Sequence, residues 1–504
     1  MAVDVTISKN DEVYVKLSCE KYIAKELSEY FTFFVPGYKF TPAFKNKIWD
    51  GKIRLYNLTT RQIYAGLVPY VLEFCENNSY TYEFTYSNVE DEYSVYYAEK
   101  FIKGLNLHSY GEPIKVHEHQ LKAFITTMQR RKALFVSPTA SGKSLIVYLI
   151  FRQLLDYQNL KGLIIVPTTS LVTQLFSDMK DYSSHNGFSV EDNVHYIYSG
   201  QSKHSNKKLI ISTWQSLQNM PEEYFEQFDY VIGDEAHNFK ANELSSIMTN
   251  LINTKYRIGL TGTLDGTKTH KLVLEGLFGA YEKVISTKEL IDKKQLANFK
   301  INCLTLKYPE EICKSMVKSD YQKEIEFLVT NTQRNKFIKN LALSMKKNTL
   351  ILFQMVDKHG DVLYNMLKNS NNLGDRKVFF VHGKVETEDR ETIRKLMETE
   401  ENAIIVASYG TFSTGINIRN LHNIIFASPS KSRIRNLQSI GRVLRKGNDK
   451  EIAVLYDIAD DLRYKSYTNH TLKHFVERIK IYTEEKFPYK LYKIGLKNEE
   501  RKDS

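Results

Sequence analysis

One eight-residue run constrains this chain more than any other: Ser137-Pro138-Thr139-Ala140-Ser141-Gly142-Lys143-Ser144. It follows the strand-like stretch Ala133 to Val136 and opens a helical pattern from Lys143 to Leu155. That is the strand, loop and helix context in which a phosphate-binding loop works. Pro138, Thr139, Ala140, Ser141 and Gly142 would wrap the phosphates at the start of a helix, the last four with their backbone N–H groups. Lys143 would reach the outer phosphates and Ser144 would ligate magnesium. Further along, Tyr230-Val231-Ile232 leads into Asp234-Glu235-Ala236-His237. Asp234 would hold the same magnesium ion, and Glu235 is the candidate base for an attacking water. The loop departs from the pattern G-x-x-x-x-G-K-[ST], because Ser137 stands where the first glycine is usual. Taken alone, Gly142-Lys143 could be an ordinary helix start and Asp234-Glu235 a solvated turn. Both at strand ends and in this order point to a nucleoside triphosphate, with ATP and Mg2+ as cofactors.

The 504 residues exceed what one hydrophobic core organises, so about three domains are expected. From residue 112 onward, short apolar runs alternate with helical patterns: Leu163 to Val166, Leu209 to Ser212, Tyr230 to Ile232 and Ile258 to Leu260. A second set follows at Leu350 to Phe353, Val378 to Val381, Ile404 to Ala407, Ile424 to Ala427 and Ile452 to Tyr456. The alternation predicts α/β architecture with two parallel sheets and crossover helices. The join is expected in the lysine-rich stretch Ser286 to Lys300. The expected domains are an accessory α+β domain over 1–105, an ATP-binding domain over 106–290, a second α/β domain over 291–460, and a helical extension with a charged tail over 461–504.

A net charge of +11 favours a polyanionic partner, with nucleic acid the obvious choice. The longest apolar run, Leu145 to Phe151, is too short to span a bilayer. Neither secretion nor membrane insertion is expected. Cys19, Cys75, Cys303 and Cys313 lack paired C-x-x-C spacing, so they read as buried thiols in a reducing cytoplasm. His117 and His119 have no cysteine or acid at ligand spacing, which argues against a zinc site.

Within the accessory region, Gly37 to Tyr56 interleaves five basic residues with five aromatic ones against a single acid. Lys39, Lys45, Lys47, Lys52 and Arg54 could neutralise phosphates while Trp49 stacks on bases or props a duplex end. The same alternation also fits a hairpin whose aromatics are buried and whose lysines are merely solvated. The sequence leaves both open.

Other short elements fall in order along the chain. They are Gln120 in His119-Gln120-Leu121, Val166 to Gln174 with its Pro167-Thr168-Thr169, and Ser212-Thr213-Trp214-Gln215. Leu260-Thr261-Gly262-Thr263, Ser408 to Asn417 and Gln438 to Arg445 follow. Hydroxyls and N–H groups at strand ends grip phosphate oxygens without reading sequence. Singly, Thr168, Thr213, Trp214 and Thr411 would pass for helix caps or a buried aromatic. Arg442 and Arg445, three residues apart, are expected on one helix face, where they could act as arginine fingers.

Together these elements resemble the superfamily-two DEAH-type helicases, with two tandem RecA-like motor domains. The resemblance narrows to the UvsW-type recombination and repair helicases of T-even-like phages. Trp49-Asp50-Gly51-Lys52-Ile53-Arg54, Ser408-Tyr409-Gly410, Phe412-Ser413-Thr414-Gly415 and Ile440 to Lys446 carry it, and the likeness extends over nearly the whole chain. It implies adenine reading by Gln120, ATP contact at Gly415, and catalytic roles for Lys143, Asp234, Glu235, Gln438, Arg442 and Arg445. It implies coupling through His237, Thr261 and Thr263. Nucleic-acid contacts are implied at Thr168, Thr169, Gln174, Thr213, Trp214, Gln215, His382, Gly383, Ser408 and Thr411. The implied activity is ATP-driven unwinding of branched DNA, including stalled forks, Holliday junctions and D-loops, and of RNA–DNA hybrids, with three-prime to five-prime movement. Implied partners are single-stranded DNA and phage single-strand-binding and recombination proteins, in the cytoplasm of a host cell. Ala236 stands where a relative can carry another residue. RNA remodelling and the motor of a restriction system are the alternatives, although no P-D followed by E-x-K nuclease pattern is evident. The intact Lys143, Asp234, Glu235, Arg442 and Arg445 argue against a non-catalytic binder.

Overall fold

Seven parallel strands form the sheet on which the phosphate loop sits. The computed structural model describes residues 3–496 other than 88–89, 198–199, 240–241, 416–417, 429 and 447–449; the charged tail 497–504 lies outside the described residues. Strand order in this sheet is Val194–Ile197, Leu209–Thr213, Gly162–Val166, Tyr230–Asp234, Tyr256–Thr261, Lys132–Val136 and Tyr281–Lys283. Every neighbouring pair is parallel. The expected strands appear to within a residue or two; the outermost pair, Val194–Ile197 and Tyr281–Lys283, was not legible as strand. Register decides function here. Val136 pairs with Thr261, Val166 with Thr213, and Asp234 with Leu260. The loops that follow these strands therefore leave from one edge, the carboxyl end where α/β sheets bind ligands.

Helix Lys143–Gln158 runs back from the phosphate loop, and every residue from Leu145 to Leu154 is buried. A helix apolar on nearly all sides belongs inside a fold. Arg152 is accommodated there because its guanidinium donates to Tyr148 Oη at 2.9 Å and Asp156 Oδ2 at 2.9 Å. The helix passes the expected Leu155 and stops at Gln158, where Asn159 takes the left-handed conformation.

The chain divides into two compact units, one of residues 1–137 and 142–285 and one of residues 138–141 and 286–504. The second unit also holds seven parallel strands, in the order Val378–Val381, Ile404–Ser408, Thr349–Phe353, Asn423–Phe426, Ile452–Asp461, Asn298–Lys307 and Tyr489–Gly495. The strand expected to end at Tyr456 continues to Asp461 through three acids. It can do so because Arg478 pairs with Asp457 at 2.8 Å and Arg334 with Asp460 at 2.8 Å, both pairs fully buried. The region after residue 460 contains the expected helix, His470–Glu484, and then a strand that extends the sheet. The helix is tied to the sheet by Arg478 and by Tyr482, whose hydroxyl donates to Asp457 Oδ2 at 2.8 Å.

The accessory region is the expected α+β fold. Its sheet runs Tyr56–Asn57, Gln62–Tyr64, Tyr14–Cys19, Val5–Lys9 and Tyr82–Phe84, with helices Lys21–Tyr30 and Val68–Asn77. Val5, Ile7, Val15, Leu17, Ile23, Leu27, Val71 and Phe74 fill its core. Before residue 105, helix Val95–Gly104 packs on helix Glu118–Arg130 beside the first sheet, Phe101 stacking on Phe124 at 5.8 Å. The accessory fold docks onto helix Lys268–Phe278 of the first motor domain. Tyr70 donates to the buried Glu275 carboxylate at 2.7 Å. Gly66 lies so close that a Cβ there would come within 1.9 Å of the Glu275 carbonyl oxygen. All four cysteines are free thiols; Cys19 is half-buried and the other three are buried. No described helix is long and apolar enough to cross a membrane.

Candidate nucleotide site and strand-contact faces

The loop's serine at position 137 fits without strain. Ser137 is fully buried, its N–H donates to Thr261 O at 2.9 Å, and its φ is not in the left-handed region. Left-handed φ values fall instead at Ala140, 69°, and Gly142, 80°. Gly142 is the position that requires glycine, since a Cβ there would also lie 2.2 Å from Gln120 Nε2. Gln120 in turn is oriented by accepting the His117 N–H at 2.9 Å. Ser141 Oγ donates to Pro138 O at 2.7 Å and closes the loop. Lys143 Nζ folds over it to donate to Ser137 O at 3.2 Å, and Ser144 Oγ lies 2.8 Å from Tyr182 Oη.

Strand Tyr230–Asp234, two places along the sheet from the strand before the loop, delivers one carboxylate at its end and another just past it. Burial first, then the neighbouring Glu235, push the Asp234 carboxyl above the usual carboxylate range, and Lys143 opposes them. Glu235 adopts a left-handed φ of 48° while its N–H donates to Asp234 Oδ1 at 2.9 Å. A glutamate held there is strain of the kind that collects at working sites. His237 Nδ1 lies 3.0 Å from Thr261 Oγ1 and 3.4 Å from Glu235 Oε2, and Thr261 Oγ1 donates to Thr263 O at 3.1 Å. The three expected coupling residues thus touch one another and the DEAH segment. Two residues that sequence inspection missed complete this cluster. His270 Nε2 lies 2.9 Å from His237 O and its Nδ1 lies 2.8 Å from Asp265 Oδ2. Burial alone would raise the Asp265 carboxyl, but His270 and Thr267 outweigh it and hold the group well below its usual range. The signal that could have drawn attention to them is the Asp265-Gly266-Thr267 turn before helix Lys268–Phe278.

A hydroxyl and a carboxylate are hard oxygen donors of the kind magnesium takes. Ser144 and Asp234 therefore fit that ion.

Around the same edge, Thr168 begins helix Thr169–Tyr182 with its Oγ1 3.2 Å from Ser170 Oγ. Thr169 and Gln215 are exposed, and Gln174 and Trp214 are half-buried, Trp214 packing against the core. Thr213 is buried, its Oγ1 3.0 Å from Ser216 Oγ. In the second unit, Ser408 Oγ donates to Thr411 Oγ1 at 2.8 Å and accepts the Thr411 N–H at 3.3 Å, starting helix Tyr409–Gly415. Ile416 and Asn417 lie outside the described residues. The His382 ring lies tilted against Phe380, with centroids 4.7 Å apart, and Gly383 is exposed. Gln438 and Arg442 are half-buried on helix Arg433–Val443. Arg445 does not share a face of that helix with Arg442 as expected, because the helix stops at Val443 and Arg445 lies in the bend beyond.

The chain is 34% identical to the ATP-dependent DNA helicase UvsW of Enterobacteria phage T4, over 98% of this chain and 100% of that one. It belongs to the UvsW family of ATP-dependent DNA helicases. The crystal structure of T4 UvsW matches with 33% identity and a TM-score of 0.52, covering 98% of this chain and 100% of that structure. A family model for the N-terminal domain of the UvsW helicase matches residues 4–85. A model described as the res subunit of type III restriction enzymes matches 111–266, and one for the helicase conserved C-terminal domain matches 332–447. A putative ATP-dependent RNA helicase of Acanthamoeba polyphaga mimivirus is 28% identical over 50% of this chain and 47% of its own length.

In the UvsW-type N-terminal domain, Thr32–Phe34 pairs with Lys52–Arg54 and holds out the segment between them. There the two expectations for the basic and aromatic residues divide by position. Trp49 Nε1 donates to Lys52 O at 2.9 Å, Lys52 lies over the Phe34 ring at 5.0 Å, and Arg54 is ion-paired with Asp50, so these three hold the segment's shape. Lys39, Lys45 and Lys47 are exposed around a hollow of about 830 Å3 that Phe44, Ile48 and Trp49 also line. Phe40 and Ile48 are 81% and 79% exposed.

Proposed function

We propose that this UvsW-family helicase acts on branched DNA, namely forks, Holliday junctions and D-loops, and on RNA–DNA hybrids, moving three-prime to five-prime. The observation that carries the substrate class is the outstretched accessory segment. Three exposed lysines next to two solvent-facing apolar side chains suit a place where backbone phosphates and an opened base pair meet.

Lys143 takes the outer phosphates, and the N-terminus of helix Lys143–Gln158 takes the others, with Gln120 reading the adenine. Magnesium, held by Ser144 and Asp234, would supply charge neutralisation on the phosphate oxygens. Glu235 orients the attacking water, and the hydrogen-bonded set His237, Thr261 and Thr263 senses the phosphate next to it. Gly415 and Gln438 complete the nucleotide contacts from the second motor domain. Arg442 and Arg445 from that domain neutralise charge on the transferred phosphoryl group. Thr168, Thr169, Gln174, Thr213, Trp214, Gln215, His382, Gly383, Ser408 and Thr411 lie in the segments that take the tracking strand, the exposed Thr169, Gln215 and Gly383 leading. Side chains already committed within the fold, as Thr213 is, act by fixing the backbone N–H groups around them.

ATP hydrolysis measured in parallel with single-stranded DNA, fork, Holliday junction, R-loop and RNA tests the substrate class. Forks, junctions and R-loops should stimulate most; stimulation by RNA alone would replace the reading with RNA remodelling. The double change Lys45→Glu and Lys47→Glu should weaken fork binding roughly tenfold and lower the slope of log affinity against log salt by about 2. An unchanged affinity and slope would show that the segment faces no phosphate.

A further inference from the structure

The helix that carries Gln438 and Arg442 has an unusual end. The last carbonyls of a helix have no partner inside it, and a glycine just past the end commonly resolves this. Helix Arg433–Val443 is followed instead by Leu444 in right-handed helical conformation. Its carbonyls are taken from outside. The Lys450 ammonium, 4% exposed, donates to Val443 O and to Arg445 O at 2.9 Å. Between them, Leu444 O accepts the Ala297 N–H at 2.9 Å. Three successive carbonyls around Arg445 are thus pinned. The same ammonium donates to Arg419 O at 3.2 Å. Arg419 lies just past the Ser408 to Asn417 element, and its N–H donates to Glu398 Oε1 at 2.7 Å.

An ammonium has three donors and no acceptor, so three carbonyls use it fully. A buried cation is costly unless it is held in this way, and a helix carboxyl end is a favourable place for it. A neutral cap would satisfy the helix end alone. It would not join that end to the exit of the strand-gripping element.

We propose that Lys450 is a positioning residue that fixes the Arg442 to Arg445 segment and the exit of the Ser408 to Gly415 element in one register, so that strand contact sets the arginines. This rests on the reading of Arg442 and Arg445 as the groups that neutralise the phosphoryl charge.

The test uses the full chain with Lys450→Met, Lys450→Arg and, alongside, Arg445→Ala. Each is assayed for kcat and KM of ATP hydrolysis with saturating single-stranded DNA, and for melting temperature. Lys450→Met should lower kcat about 10- to 100-fold with KM for ATP within about twofold, the signature of lost transition-state positioning. Lys450→Arg, which restores charged donors, should recover most of the rate. Parent-rate hydrolysis by Arg445→Ala would remove the arginine reading. Parent-rate hydrolysis by Lys450→Met beside an inactive Arg445→Ala would remove the Lys450 inference alone. A loss in Lys450→Met that appears in KM and not in kcat would also overturn it. Should Lys450→Met melt below the assay temperature, Lys450→Gln, which keeps two N–H donors, takes its place. A lowered kcat at unchanged KM in that variant supports the inference, and the parent rate overturns it.

Discussion

Replacing Lys143 with alanine should cut ATP turnover about 10²- to 10³-fold, the usual consequence of removing a preorganised charge from a phosphate site. The loop itself should survive. Its shape is set by Ser141 Oγ on Pro138 O, by Ser137 N–H on Thr261 O and by the left-handed Gly142, none of which needs the lysine side chain. DNA affinity in the absence of nucleotide should therefore stay within about twofold, since backbone-phosphate contacts are made by other groups and add their own charge terms. Steady-state hydrolysis with single-stranded DNA and fluorescence anisotropy of a labelled fork measure the two quantities. Turnover at the parent rate would end the assignment of this loop as the catalytic nucleotide site.

The second large effect is expected at Arg445. Its replacement by alanine should lower kcat by about 10³-fold, in line with arginine fingers elsewhere, with little change in the concentration of ATP needed for half-saturation. The expectation sharpens on the backbone. Arg445 lies beyond the helix end, in a bend where the two carbonyls before it, and its own, are all engaged. A side chain that leaves from so fixed a backbone spends little conformational entropy on reaching a phosphate. Single-turnover hydrolysis with excess enzyme isolates the chemical step. If Arg445→Ala hydrolyses as fast as the parent, phosphoryl charge is neutralised without this residue.

The parts of this site that were legible in the sequence are those whose chemistry is local. A glycine just before the helix can take a left-handed φ that other residues resist, and Gly142 does. Apolar runs of three to five residues became strands where expected, because a parallel sheet covered on both faces needs strands apolar on both sides. What was not legible depends on partners distant in the chain. Asp457 and Asp460 look like the end of a strand until Arg478 and Arg334 are seen beside them. His270 and Asp265 reach the DEAH segment only because helix Lys268–Phe278 folds back over it. Lys450 resembles any surface lysine in sequence and is recognisable only from the carbonyls around it. The usual penalty for a missing first glycine also proved irrelevant, since Ser137 occupies a conformation open to any residue.

The close fit of Gly66 and Tyr70 against Glu275 bears on how such a chain can evolve. A gene fusion or exchange made near residue 85 would deprive the Glu275 carboxylate of its hydroxyl partner and uncover the face of helix Lys268–Phe278 that the accessory core shares. The accessory fold and the first motor domain therefore depend on one shared packing face. The outstretched segment between Phe34 and Lys52 bears little of that shared core, so point changes there leave the joint between the two folds intact.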